Sequence, residues 1–480
     1  MLSPRLDSAA NRRRGTDTVF RIMPRAGPGM SNVLVECYHT NVTDHAEESF
    51  VLSPDGIVSF AHLKVEVERM LRELRALECE RVGLIVRPDC LIASIAALIA
   101  LSELAADAFL LGPDQSESQR EGWADELALA AVVDGARQPG VMLTKRRATG
   151  PRGDGAVVIL TSGTAGKPKA VRHTWATLMR PARVDAGFRG TRWLSSYPVQ
   201  LYAGLQVFAQ CFANASALAV VSANRSAAET VSLLINWNIE YACGTPSFWR
   251  HLLMFAGEKL KNLAGLRQIT MGGEVAPQDV LERLKRTLPN ARIVHIYATT
   301  ELGRCFSVTD GEAGFPSRYL DQPSADGISL MVKDGQLYVR SQNAMVGYDI
   351  RSGATADAGD WFATGDLVDV QGDRVYFVGR SSDLINVGGH KVYPLEVEQF
   401  IRSLPFIRDV RVYGMKSSIV GELVACDVVF TEGHDPIETK RALARACADH
   451  LMEHQRPRRI EILNVIQMSS AGKTKRGIAQ

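Results

Sequence analysis

The sequence predicts an α/β protein of two domains. A large N-terminal domain of parallel sheets sandwiched by helices carries a small antiparallel β unit at its end, and a smaller α+β domain follows. Three observations support this. Apolar runs of strand length alternate with helical periodicity as far as about Phe306. From Ile328 the texture changes to short alternating strands around Lys333-Asp-Gly335 and Gln371-Gly-Asp373. Beyond Gly379 the order becomes helix, strand, strand, helix, strand, and a stretch of about 100 residues is long enough for a separate domain.

The elements follow in order. Residues 50–52 and 57–60, separated by Ser53-Pro-Asp-Gly56, predict a hairpin with turn chemistry between short strands. Residues 63–77 carry Val65, Val67, Met70, Leu71, Leu74 and Leu77 at helical spacing. Residues 82–86 read as a buried strand and 91–104 as a mostly apolar helix. That helix is too short to span a bilayer and is bracketed by Arg87, Asp89 and Glu103, so it is a core helix and no membrane span is expected. A short apolar strand at 156–159 follows. Strands at 194–197, 217–221, 269–271 and 292–297, with helices at 227–237 and 277–288, continue the parallel reading. In the last domain the helices are 395–404 and 438–451, and the strands 410–413, 423–429 and 460–463. The junction falls near Arg380 to Asp383, which divides the chain into 30–379 and 380–480.

Composition excludes several classes. A balance of 55 basic against 53 acidic residues gives a net charge of +2, so nothing recommends nucleic acid or an anionic membrane as a partner. Eight cysteines are scattered without a C-x-x-C pair or a nearby histidine cluster, which argues against zinc and against a disulfide framework. Small buried hydrophobes in a reducing cytoplasm are the expectation, with a catalytic thiol the alternative at any one of them. Residues 1–29 hold six arginines with Ser, Gly and Pro and lack an apolar run of secretory length, so they read as a disordered leader. Met30 is a candidate start, and a transit peptide is the competing reading, diluted by Asp7 and Asp17.

The chemistry concentrates in a few stretches. Leu160-Thr-Ser-Gly-Thr-Ala-Gly-Lys-Pro-Lys169 sets two glycines, three hydroxyls and two lysines directly after a buried strand. Small residues let backbone N–H groups approach an anion, hydroxyls add donors and the lysines add charge. The spacing is not that of a Walker A loop, because Pro168 follows Lys167 and the glycines are Gly163 and Gly166. A plain surface turn is the alternative. Tyr297-Ala-Thr-Thr-Glu301 follows a strand and so lies where ligands collect in open α/β sheets. Thr300 offers a phosphate donor, Glu301 a hard-cation ligand and Tyr297 a ring for a planar base; Thr299 or Thr300 as a helix cap is the bland counterpart. Asp366 offers acceptors for a ribose and Arg380 a cation beside it, against a turn residue and a surface ion pair. Lys473 lies on the glycine-flanked, hydroxyl-rich Ser470-Ala-Gly-Lys-Thr-Lys-Arg476, against a solvated basic tail.

Taken in order, Thr161-Ser-Gly-Thr-Ala-Gly-Lys-Pro-Lys169, Tyr297-Ala-Thr-Thr-Glu301, Thr364-Gly-Asp366, Gly379-Arg380, Val387-Gly-Gly389, Pro394-Leu-Glu-Val-Glu398 and Gly472-Lys473 resemble the adenylate-forming superfamily of acyl- and aryl-CoA ligases, peptide-synthetase adenylation domains and luciferases. The resemblance covers roughly residues 57–476. It implies that a small-molecule carboxylic acid attacks ATP to give an acyl-adenylate and pyrophosphate, after which coenzyme A, an acyl carrier protein or an amine takes the acyl group. By position it implies Thr161, Ser162, Gly163, Thr164 and Lys169 at the β- and γ-phosphates, Thr300 at the α-phosphate and Glu301 at Mg²⁺. Asp366 and Arg380 fall at the ribose, and Lys473 at the reacting oxygens. Gly388 and Gly389 belong to the thiol-transfer face of a small domain that swings about a hinge at Ser382. The acyl pocket falls to Tyr202, Gly272, Gly273, Glu274 and Ala298. Departures are Leu201 at a common histidine, Ala298 at a common glycine, Glu274 at a common alanine, Ser382 at a common Asp or Lys, and Gln467-Met468 at a common Leu-Pro. No acidic residue stands ready for an amino-acid amine, and Glu274 has a helix-entry cap as its alternative.

Overall fold

Alternation along the central strands decides the layering. In the strand Asp107–Leu111, Ala108 and Leu110 join one buried cluster and Phe109 and Leu111 another, so the sheet is covered on both faces. The computed structural model describes residues 21–22, 32–76, 78–136, 141–143, 155–161, 169–222, 225–349, 360–417, 420–431 and 433–466. Its first large sheet has seven strands, with Val157–Thr161, Asp107–Leu111, Arg81–Ile85 and Ala131–Asp134 parallel at the centre. Lys169–His173 and then Gly347–Tyr348 extend it antiparallel at one edge. The second has eight strands, with a parallel run through Ala217–Val220, Arg192–Ser195, Tyr241–Gly244, Gln268–Gly272 and Arg292–Thr299.

A single apolar cluster spans the space between the sheets. Helices Phe60–Arg75, Leu91–Glu103 and Tyr202–Phe212 fill it, with strand residues such as Leu84 and Ile159 on one side and Trp193 and Leu218 on the other. Helices Ala227–Asn236, Pro246–Leu260 and Gln278–Thr287 close the outer face of the second sheet around the fully buried Trp249. Glu117–Glu126 covers the outer face of the first. The expected parallel sheets sandwiched by helices are therefore present.

The antiparallel unit is a five-stranded sheet in the order Phe315–Pro316, Arg374–Arg380, Phe362–Gln371, Gln336–Arg340, Ser329–Lys333. The smaller α+β unit pairs Ile407–Ser417 with Gly421–Phe430, adds Arg459–Ile462 in parallel and packs Pro394–Arg402 and Pro436–His450 over its own apolar cluster.

Several local expectations need correction. Gly303–Val308 returns antiparallel against Arg292–Thr299, so the parallel reading stops before it. Phe60 opens a helix, stacking on Phe50 at 4.6 Å, instead of ending a strand. Val65, counted with the buried stripe, is 63% exposed. Helices Val33–Asp44, Tyr202–Phe212 and Pro246–Leu260 were not anticipated. Within the arginine-rich residues 1–29, Arg21–Ile22 pairs antiparallel with Arg183–Val184. Among the described residues no helix is long and apolar enough to cross a membrane.

Candidate active site

The glycine-rich stretch is bounded by two antiparallel strands. Thr161 and Lys169, its two ends, are cross-strand partners of Val157–Thr161 and Lys169–His173, and the Thr161 hydroxyl donates to the Lys169 carbonyl at 3.5 Å. Ser162, Gly163 and Thr164 lie outside the described residues, as does Lys473. Along the exit strand, Lys169, Val171 and His173 share one face by the two-residue period. Arg172 points the other way and is anchored by Asp107 at 2.7 Å and Asp349 at 3.3 Å.

That strand face meets the Thr-Thr-Glu turn. Thr299 and Gly303 close the turn as a cross-strand pair, and the Leu302 amide donates to the Thr299 hydroxyl at 3.1 Å. No helix follows, so the helix-cap reading of Thr299 and Thr300 does not hold. Three successive carbonyls are each held by another segment. Thr300 accepts from His173 Nε2 at 2.7 Å, Glu301 from the Met345 amide at 2.7 Å and Leu302 from the Ser341 hydroxyl at 2.9 Å. The Thr300 and Glu301 side chains are partly exposed. Gly303 has φ +73°, and an added Cβ would lie 2.8 Å from Asn343 Cβ and 3.0 Å from Tyr202 Oη, so only glycine closes this turn.

Tyr348, which the sequence did not single out, joins the two halves. Lys169 Nζ sits 5.3 Å from its ring centroid, and its hydroxyl lies 3.4 Å from Glu301 Oε1. Burial and the neighbouring Glu301 push the Tyr348 phenol above its ordinary range, so it stays a donor. Tyr202, expected in the acyl pocket, lies against the turn at Gly303, its ring 5.7 Å from that of His173.

A second node forms where the eight-stranded sheet meets the antiparallel unit. Asp366 and Arg380 face each other across Phe362–Gln371 and Arg374–Arg380, and Arg380 Nε donates to Asp366 Oδ1 at 2.7 Å. The Tyr297 hydroxyl donates to Asp366 Oδ2 at 2.5 Å. Burial first, then the adjacent carboxylate, holds the Tyr297 phenol well above its ordinary pKa. Burial works against the Arg380 charge, but Asp366 more than offsets it and raises the guanidinium pKa. The Tyr297 ring is stacked between Phe306 at 5.2 Å and Phe377 at 5.0 Å.

The remaining candidates are spread out. Gly272 is clamped by Tyr197, whose hydroxyl donates to its carbonyl and accepts from its amide, both at 3.0 Å. Gly273 has φ +83°, and Ala298 packs against the central apolar cluster. Glu274 Oε2 accepts from the Ser247 amide at 3.1 Å in the first turn of Pro246–Leu260, beside the Thr245 cap on Phe248. A carboxylate there also answers the helix dipole. Glu274→Ala is therefore expected to cost about 1 kcal/mol of stability, and an unchanged urea midpoint would remove the capping role. Gly388 and Gly389 form the exposed tip of the hairpin Ile385–Val387 and His390–Val392, at φ +58° and +88°, and bond to Val420 and Asn386 of their own unit. They are not brought to the two nodes. Ser382 lies in the short turn Ser381–Asp383 and donates to Asp383 at 2.9 Å.

The small unit touches the rest at Pro246–Leu260. Arg250 and Arg402 share Asp409 at 4.0 and 3.7 Å, and the Arg408 guanidinium lies 4.3 Å over the Phe255 ring.

Comparison with known proteins agrees with this geometry. Residues 73–349 match the family model of AMP-binding enzymes, and residues 396–473 match the AMP-binding enzyme C-terminal domain. Similar curated proteins include a 2-succinylbenzoate–CoA ligase of Geobacillus sp. (strain WCH70), 26% identical over 67% of this chain and 68% of that protein. Another is the long-chain-fatty-acid–CoA ligase FadD13 of Mycobacterium tuberculosis (strain ATCC 25618 / H37Rv), 25% identical over 67% and 66%. Among solved structures, the anthranilate CoA ligase AuaEII in complex with anthranoyl-AMP superposes with a TM-score of 0.75 at 18% identity, covering 92% of this chain and 95% of that one. The amide bond synthetase McbA from Marinactinospora thermotolerans gives 0.70 at 19%, covering 92% and 98%. With the larger model alone matching more than half of the sequence, the chain belongs to the family of AMP-binding enzymes.

Proposed function

We propose that the chain is an AMP-forming acid–thiol ligase. It activates a small-molecule carboxylic acid with ATP, releases pyrophosphate and passes the acyl group from the adenylate to coenzyme A. The observation that carries this reading is the clamped Thr300-Glu301 turn, facing Lys169 across Tyr348 at the exit of the glycine-rich loop. A carboxylate is ionised at neutral pH, so its attack on phosphorus needs no general base. The obstacle is one anion approaching another, which makes catalysis a matter of charge neutralisation and positioning.

In this reading Thr161, Ser162, Gly163, Thr164 and Lys169 hold the β- and γ-phosphates, Thr300 the α-phosphate, and Lys473 the substrate carboxylate and α-phosphate oxygens. Asp366 accepts from the ribose with Arg380 beside it, and Tyr297 supports that carboxylate from below. Glu301 fits Mg²⁺: its hard oxygens sit partly exposed on a fixed turn, and this cation is commonly bound by one or two carboxylates together with substrate phosphates. When bound, the ion would supply charge neutralisation on the phosphate oxygens. Residues 30–379 form the large domain and 380–480 the moving one, with the hinge at Ser382 and Gly388-Gly389 reserved for the transfer step. None of the eight cysteines, all among the described residues, forms a disulfide, which supports a reducing cytoplasm as the enzyme's location.

One observation favours a second acceptor, an amine, because an amide bond synthetase is among the structural neighbours. The absence of an acidic partner for an amino-acid amine in the sequence weighs against an amino-acid acid substrate. The test is pyrophosphate release across aliphatic, aromatic and hydroxylated acids, with and without CoA. Acid-dependent release followed by CoA-dependent thioester supports the ligase. Release that CoA leaves untouched, but that a phosphopantetheine carrier protein or an amine stimulates, overturns the CoA assignment.

A further inference from the structure

Glu301 and Thr300 owe their position to a group that neither the motifs nor the family description names. His173 is fully buried, ends the strand Lys169–His173 and donates from Nε2 to the Thr300 carbonyl at 2.7 Å. A carbonyl oxygen only accepts, so Nε2 carries the proton and Nδ1 is left as an acceptor. The Thr177 hydroxyl lies 3.0 Å from Nδ1 and 2.9 Å from the Thr174 carbonyl, and its single proton serves one or the other. Burial lowers the imidazole pKa to about 4, partly opposed by the Thr300 hydrogen bond, so the ring is neutral at physiological pH and adds no charge beside the phosphates.

The connection it makes is specific. Lys169 and His173 stand at the two ends of one strand face, four residues apart, and Gly347–Tyr348 pairs with the same strand. One strand therefore carries Lys169, braces the Glu301 side chain through its paired Tyr348 and grips the Thr300 backbone through His173. The separation between Lys169 and the Thr300-Glu301 turn is set by this rung.

We propose that His173 is a positioning residue, acting through the Thr300 carbonyl to hold Thr300 and Glu301 in register with Lys169 for binding the metal-bound triphosphate. The proposal rests on the ligase reading above. A histidine that merely fills the core would affect all ligands and both partial structures alike, whereas a rung affects the phosphate end and spares the ribose node at Asp366.

The test compares His173→Leu, which removes the donor, with His173→Gln, whose amide restores an N–H at the Nε2 position. Adenosine and MgATP binding are measured by calorimetry, alongside thermal unfolding. His173→Leu is expected to weaken MgATP binding about tenfold, the scale of one buried acceptor left unpaired. Adenosine affinity should stay unchanged, and His173→Gln should recover most of the loss. Equal weakening of adenosine and MgATP, equal loss in both variants, or unchanged MgATP binding in His173→Leu overturns the proposal. If His173→Leu does not fold, His173→Asn decides, because its shorter amide reaches only the Nδ1 position and leaves the Thr300 carbonyl without its donor: a loss confined to MgATP supports the rung and no loss overturns it. Wild-type protein that binds neither ligand refutes the ligase reading itself, which is a distinct outcome.

Discussion

Lys473→Ala is expected to lower pyrophosphate release with the cognate acid by about 10²–10³-fold, while thioester formation from supplied acyl-adenylate stays largely intact. The size follows from what the lysine is asked to do. Two anions must meet at phosphorus, and a single preorganised donor at the developing charge is commonly worth about 10²–10³ in rate. The split follows from the two half-reactions, since charge neutralisation of the incoming carboxylate is finished once the adenylate exists. Rapid-quench measurement of both partial reactions checks it. Equal loss of the two would show that Lys473 supports the fold or the transfer step instead of adenylation.

Asp366→Asn comes next in size. The carboxylate serves Tyr297 on one oxygen and Arg380 on the other, and it also stands where two ribose hydroxyls would donate. An amide of the same shape has one acceptor oxygen, so its NH₂ group must face a donor. The expected result is an increase of about tenfold in KM for ATP, matching one or two lost hydrogen bonds to a charged acceptor, with kcat changed much less. Stability should fall by only about 1–2 kcal/mol, because Arg380 is half exposed and water replaces part of what it loses. Initial-rate kinetics over ATP concentration, with urea unfolding beside them, tests both parts. An unchanged KM for ATP would remove Asp366 from the nucleotide site.

How much of this was legible in the sequence depends on the range of each interaction. Thr161 to Lys169 and Tyr297 to Glu301 announce themselves because loop chemistry and the strand before it are local, and the period of the apolar runs gave the layer order. Val65 failed because it stands two residues before Val67, which at helical spacing puts it on the side opposite the buried Leu63, Val67, Met70 and Leu74. His173 and Tyr348 were invisible as partners of the turn because they reach it across 127 and 47 residues, through pairings no local pattern encodes. Their only trace is that Lys169, Val171 and His173 fall on alternate positions of one strand. Glu274 shows the opposite case. Its cap was legible as a kind of interaction, but the helix it caps begins 28 residues earlier, at Pro246, instead of following it.

The junction between Pro246–Leu260 and the smaller unit has an energetic consequence. Among the described residues, the buried apolar cluster of residues 385–451 contains no side chain from the large unit, and the junction is made in part by one shared carboxylate, one guanidinium over a ring and the Tyr393 ring against Gly379. Pairs of this kind contribute about 1 kcal/mol or less each, and about 1.4 kcal/mol changes a population ratio tenfold. Polar contacts of this size would weight one orientation of the proposed moving domain against another. In the proposed two-pose cycle, salt that screens these charges is expected to shift the balance between the adenylating and the transferring arrangement.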